Sequence, residues 1–96
     1  MILVLAKAIP KKGSENKIID AAQNLIKNSR AENGNIDYNL YSSTEDNSLT
    51  FVEKWESKEI LDKHLKTNHF IDFGNEIKDY LEAELDIQIL SAEILN

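Results

Sequence analysis

The groups best suited to chemistry lie in one stretch of the chain, from Glu53 to Phe70. This stretch holds both histidines, His64 and His69, and the only tryptophan, Trp55. A neutral imidazole near pH 7 can take a proton from a phenol, and a nearby carboxylate can orient the ring and raise its basicity. We therefore predict three catalytic groups: His64 as general base, Glu53 as the group that orients it, and His69 as a hydrogen-bond partner of the substrate oxygen.

Structural roles compete with each of these assignments. His64 follows Ile60 by four residues on a predicted helix, so it could be a buried ring satisfied by backbone groups or by Glu53. Glu53 could instead pair with an adjacent strand, and His69 could cap a helix. We expect no metal, because on a continuous helix the two histidines would lie about 140° apart and no cysteine offers a third ligand.

Aromatic side chains could form the walls of a substrate pocket. Trp55 is by default a core residue, but its flat ring could also stack on an aromatic substrate. Tyr38 falls on the inward-facing parity of its strand. We expect an apolar chamber walled by Trp55 and His64, with Tyr38, Phe70 and Phe73 as further substrate-binding walls.

The elements that position these groups follow from hydrophobic spacing. Residues Ile2–Ala6 are all apolar and lack a preceding positive segment, which indicates a strand buried on both faces rather than a signal peptide. Ser14 is suited to cap a helix that ends between Arg30 and Asn33 and is closed by Gly34.

Two alternating segments, residues 36–41 and 49–55, flank polar turn residues and predict a β-hairpin. Ser57 can cap a second helix, and Thr67 breaks the period and can cap a third. Residues 85–95 predict a long last strand. The order β-α-β-β-α-β predicts an α+β, ferredoxin-like fold, in which helices cover one face of a four-stranded antiparallel sheet.

The composition limits the classes of function. With 96 residues, we expect one domain spanning residues 1–96. A net charge of −6, with scattered basic residues, argues against a nucleic-acid partner, and no segment is long enough for a membrane span. The chain has no cysteine, which suggests a reducing cytoplasm.

The first strand predicts a homodimer, because it carries aliphatic side chains on both faces. Met1, Leu3 and Leu5 share one face, while Ile2, Val4 and Ala6 share the other. Helices can cover only one of these faces, so we expect a second copy of the chain to cover the other, with the long last strand reaching across.

Three segments carry a family resemblance: Glu53-x-Trp55-x-Ser57 with His64 and Thr67-x-His69-Phe70, residues 34–38, and residues 85–90. Together they resemble the antibiotic biosynthesis monooxygenase (ABM) domain family over nearly the whole chain. Within it, the small bacterial quinol-monooxygenase-like proteins are the most similar branch.

The resemblance implies a dimeric α/β-barrel with a pocket between sheet and helices. It also implies oxidation of a quinol or another phenolic small molecule by O2 without metal, flavin or haem. Ground-state dioxygen is a triplet, so such chemistry needs a substrate that gives up an electron, such as an ionised quinol. Two alternatives remain: an isomerase of a phosphorylated quorum signal, which carries a similar His-x-x-Thr-x-His segment, and a non-catalytic small-molecule-binding dimer.

Overall fold

A four-stranded antiparallel sheet organises the fold, and the computed structural model describes residues 1–96 throughout. The strands are β1 (Ile2–Ala8), β2 (Asn35–Ser42), β3 (Leu49–Trp55) and β4 (Asp86–Ser91), in the order β2-β3-β1-β4. The helices are α1 (Glu15–Arg30), α2 (Lys58–His64) and α3 (Asn68–Ile77), followed by one 3-10 turn at Lys78–Tyr80. This topology confirms the predicted ferredoxin-like fold. None of the helices combines the length and apolar character that a bilayer crossing requires.

Alternation along the central strands decides which side of the sheet the helices cover. All odd-numbered residues of β3 are buried, and so are the even-numbered residues of β1 from Val4 to Ala8. Val4 pairs with Glu53 across the ladder, so both sets face the helices. On the opposite face of β1, Leu3 and Leu5 are half-buried, because no element of the same chain covers them.

Side-chain caps define where α2 and α3 begin, as the sequence predicts. Ser57 Oγ accepts a hydrogen bond from the backbone N–H of Ile60, and Thr67 Oγ1 accepts one from that of Phe70, both at 3.3 Å. Ser14 occupies the N-cap position of α1, but its side chain makes no capping hydrogen bond. The Thr67 cap matters most for the site, because it separates His64 at the end of α2 from α3.

The last strand is shorter than the predicted 85–95. It spans Asp86–Ser91, and its pairing with β1 runs out at the Ile2–Ser91 pair. After this pair, the backbone N–H of Ala92 donates to the carbonyl of Met1, and the amino group of Met1 donates to the carbonyl of Ala92. A strand needs a partner at each position, so β4 ends where β1 begins.

Candidate functional site

An apolar cavity of about 130 Å³ lies between the sheet and the helices. Its only polar side chains are the carboxyl group of Glu53 and the hydroxyl group of Tyr38. The other lining residues are Val4, Ala6, Leu25, Phe51, Leu61, Leu65, Phe70, Phe73, Gly74, Leu85, Ile87 and Ile89. The cavity therefore offers one carboxyl group and one phenol in otherwise apolar surroundings.

Glu53 is held in this cavity by β3 and is 5% exposed. Burial raises the pKa of its carboxyl group to about 7, hydrogen bonds from Trp55 and Tyr38 oppose the rise, and the charge of Glu32 adds to it. The indole N–H of Trp55 donates to Glu53 Oε1 at 3.0 Å, which fixes the carboxyl group. A carboxyl group with a pKa near 7 can both take and return a proton at neutral pH.

Tyr38 stands beside Glu53 on the neighbouring strand, in the directly paired position. Its ring is edge-on to Trp55 at 6.1 Å and tilted against Phe51 at 5.9 Å between centroids. Burial, and then the charge of Glu53, raise the pKa of its phenol far above the ordinary value. Tyr38 therefore stays protonated and acts as a hydrogen-bond donor.

A second cluster joins the two histidines through Glu32, which lies in the turn after α1. His64 Nδ1 lies 2.6 Å and His69 Nε2 lies 2.8 Å from the same oxygen, Glu32 Oε2. We assign the ring protons from this network: both nitrogens donate to the carboxylate, so His64 carries its proton on Nδ1. Burial lowers the pKa of His64, and the contact with Glu32 opposes that change.

Comparison with known proteins decides the family. Residues 1–76 match the family model described as antibiotic biosynthesis monooxygenase, ABM. The chain belongs to the ABM family.

Relatives of this ABM chain agree along most of its length. YcnE, a candidate monooxygenase of Bacillus subtilis, is 34% identical over 88 residues, covering 91% of this chain and 93% of that protein. A conserved protein from Methanosarcina mazei is 29% identical with a TM-score of 0.92, covering 96% and 92% of the two chains. Rv0793 of Mycobacterium tuberculosis shares the fold, at 22% identity and a TM-score of 0.92, over 98% and 96%.

The structure corrects the expected chamber between Trp55 and His64. The two rings pack against each other, with centroids 4.5 Å apart and planes 36° apart, and both residues are fully buried. Neither ring lines the cavity of this ABM domain, and neither does His69. Alternating periodicity places side chains on a common face, but close packing decides where a void remains. Tyr38, Phe70 and Phe73 do line it.

The carboxylate that contacts His64 is Glu32 rather than the predicted Glu53. Glu53 is occupied by Trp55, two residues further along the same face of β3. Sequence reasoning missed Glu32 because it stands alone in a turn, 32 residues before His64, with no periodicity to mark it. The one local feature that marks Glu32 is its position two residues before Gly34, in the predicted turn after the first helix.

His64 and His69 do not lie on one continuous helix, contrary to the expectation that placed them about 140° apart. The chain instead breaks at residues 65–67, between α2 and α3, so the two rings converge. One ligand atom each from Glu32, His64 and His69 lie within 4.8 Å of one another.

Proposed function

We propose that this ABM chain is a cofactor-independent monooxygenase that oxidises a quinol or a related single-ring phenol with O2. One observation carries the proposal: an apolar cavity contains a single carboxyl group, that of Glu53, whose pKa of about 7 suits proton transfer at neutral pH. Membership of a family whose relatives bear monooxygenase names supports the reaction class.

The size of the cavity supports one aromatic ring as the substrate core. An engineered apolar cavity of about 150 Å³ accommodates benzene. The volume here, about 130 Å³, is of the same order. Phe70 and Phe73 supply flat apolar walls for such a ring, and Gly74 leaves the adjoining wall without a side chain. Polycyclic phenols would need the cavity to widen.

The proposed reaction begins when ionised Glu53 takes the phenolic proton. The anion transfers an electron to dioxygen, and the radical pair combines at a ring carbon. One oxygen atom stays on the ring, the other leaves as water with two substrate hydrogens, and the quinol becomes a hydroxyquinone. Atoms and electrons balance without an external reductant, because the quinol supplies all four electrons.

Tyr38 supports this step by turning its single O–H from Glu53 to the substrate, where it donates a hydrogen bond to the developing phenolate. Its hydroxyl group remains protonated next to Glu53 because burial raises its pKa. A donor in an apolar, water-poor site stabilises an anion more than the same donor does in water. Tyr38 thus binds the phenolate oxygen, and Glu53 receives the phenolic proton.

The assignment of the base differs from the one that the sequence favoured. His64 Nδ1 donates to Glu32, its ring stacks on Trp55, and it does not line the cavity. We therefore move the role of base to Glu53. An isomerase acting on a phosphorylated signal is disfavoured, since the lining contains no Lys or Arg to bind a phosphate.

Replacing Glu53 by Gln tests the proposal, because the amide can still accept the bond from Trp55 but cannot take a proton. We expect oxygen uptake with hydroquinone to fall by about 10²-fold or more in Glu53→Gln. Glu56→Gln removes an exposed carboxylate three residues away and should leave uptake unchanged. Uptake in Glu53→Gln that matches the wild type would refute the proposal.

We further propose that the functional unit is a homodimer that packs sheet against sheet. The face of the sheet opposite the helices carries the half-buried Leu3 and Leu5, and beside Leu3 it carries Leu90, which is 40% exposed. Burial of this surface by a second copy would remove aliphatic area from water.

A further inference from the structure

We propose that Glu32, His64 and His69 form a binding site for a divalent first-row transition metal ion, for which Zn²⁺ is the probe. This site goes beyond the proposed oxidation, since none of the three residues lines the cavity. Two imidazole nitrogens and one carboxylate oxygen are a donor set that suits Zn²⁺, and a fourth position remains for water.

The spacing of the donor atoms fits an ion after small movements. Tetrahedral ligands at about 2.0–2.1 Å from Zn²⁺ lie roughly 3.3 Å from one another. Glu32 Oε2 lies 2.6 Å from His64 Nδ1 and 2.8 Å from His69 Nε2, and all three ligand atoms lie within 4.8 Å of one another. The oxygen must therefore draw back by less than 1 Å, and the two ring nitrogens, which lie up to 4.8 Å apart, must approach each other by up to about 1.5 Å. As the ion binds, the proton of each ring moves to its other nitrogen, which in His64 is the buried, unpartnered Nε2.

The fold holds the site in place before any ion binds. His64 is fully buried and its ring packs at a tilt against Trp55, which restrains it. Thr67 Oγ1 donates to the backbone carbonyl of His64 at 2.7 Å and also caps α3, which fixes the break between the two helices. A preorganised ligand set loses little entropy on binding.

The site is open enough for an ion to enter. The side chains of Glu32 and His69 are 16% and 19% exposed, whereas that of His64 is 1% exposed. Glu32 and His69 thus reach the surface, and His64 forms the buried end of the site. The competing explanation is a hydrogen-bonded clamp in which Glu32 ties α1 to α2 and α3 with no ion at all.

Calorimetry and thermal unfolding of the full chain distinguish the ion site from the clamp. After EDTA treatment, the wild type should bind one Zn²⁺ per chain and unfold at a higher temperature with Zn²⁺ present. Co²⁺ should bind at the same site and give a visible absorption band, whereas Mg²⁺, which prefers oxygen ligands, should neither bind nor stabilise.

Variants assign the binding to these three residues. His69→Ala removes a partly exposed ring and should fold, as circular dichroism can verify, yet weaken Zn²⁺ binding at least about tenfold, as should Glu32→Gln. Glu53→Gln should bind Zn²⁺ like the wild type, because Glu53 is not one of the three ligands. The metal site and the proposed oxidation can therefore fail independently of each other. No Zn²⁺ binding by the wild type at millimolar concentration, or less than a tenfold loss in His69→Ala, overturns the proposal.

Discussion

At the scale of single residues, Glu53 shows how burial converts an ordinary acid into a group suited to catalysis. It lies among aliphatic and aromatic side chains, 5% exposed, and its pKa rises from 4.5 to about 7. Near neutral pH the native chain binds a proton at Glu53 that the unfolded chain has released. Because burial disfavours the ionised carboxylate, Glu53 lowers the free energy of unfolding at neutral pH.

This pKa shift predicts how stability depends on pH. Between about pH 4.5 and 7 the native state holds the Glu53 proton more tightly than the unfolded state, so the free energy of unfolding falls as pH rises through that window. Glu53→Gln cannot titrate and should be more stable than the wild type at pH 8, by an amount on the order of 1–3 kcal/mol. Below the window the difference should shrink.

Urea denaturation of both proteins at about pH 4 and about pH 8 measures the effect. A gain for Glu53→Gln that is equal at the two pH values would show that the amide acts through packing and not through the lost proton. A variant less stable than the wild type at pH 8 would contradict the raised pKa itself.

At the scale of elements, the turn between α1 and β2 positions Glu32 and depends on Gly34. This glycine has φ +92°, a left-handed conformation that side chains disfavour. A Cβ atom there would also lie 2.7 Å from Ile60 Cγ2, which is on α2. The turn and the helix that ends at His64 thus approach each other closely because one residue has no side chain.

Gly34→Ala should destabilise the chain by about 1–3 kcal/mol, because it combines backbone strain with a collision. Gly13→Ala is the matched control: Gly13 also has a positive φ, +81°, but no atom lies within 4 Å of the added methyl group. We expect the loss in unfolding free energy to be larger at Gly34. Equal losses at the two positions would mean that the contact with Ile60 is unimportant.

Local pattern predicts these elements well and their contacts poorly. The alternation of β3, the cap at Ser57 and the cap at Thr67 are short-range signals, and the structure confirms each. The partner of His64 could not be read in this way, because it depends on how α1 packs against α3. The length of β4 was equally hidden, since it depends on where β1 begins.

At the scale of the whole molecule, one face of the sheet lacks a cover from its own chain. Leu5 lies at the centre of this face, between Val52 of β3 and Gln88 of β4. An apolar face of this kind in a protein with net charge −6 favours a specific apolar interface between two copies over general association.

Light scattering should give a mass of about 22 kDa, twice the 11.0 kDa of the chain. Leu5→Glu places a charge in the proposed interface and should shift the mass toward that of one chain. Gln23→Glu adds the same single negative charge at an exposed position of α1, away from this face of the sheet, and is the matched control. A wild-type mass of 11.0 kDa at micromolar concentration would rule out the dimer.

The role of Glu53 as the base is tested most directly by oxygen uptake with hydroquinone across about pH 5–9, after subtraction of the uncatalysed rate. In the wild type, kcat/KM should rise with a midpoint near the Glu53 pKa of about 7 and then level off. In Glu53→Gln it should stay low at every pH. A wild-type profile without that midpoint, or the same profile in both proteins, would contradict the assignment of Glu53 as the base.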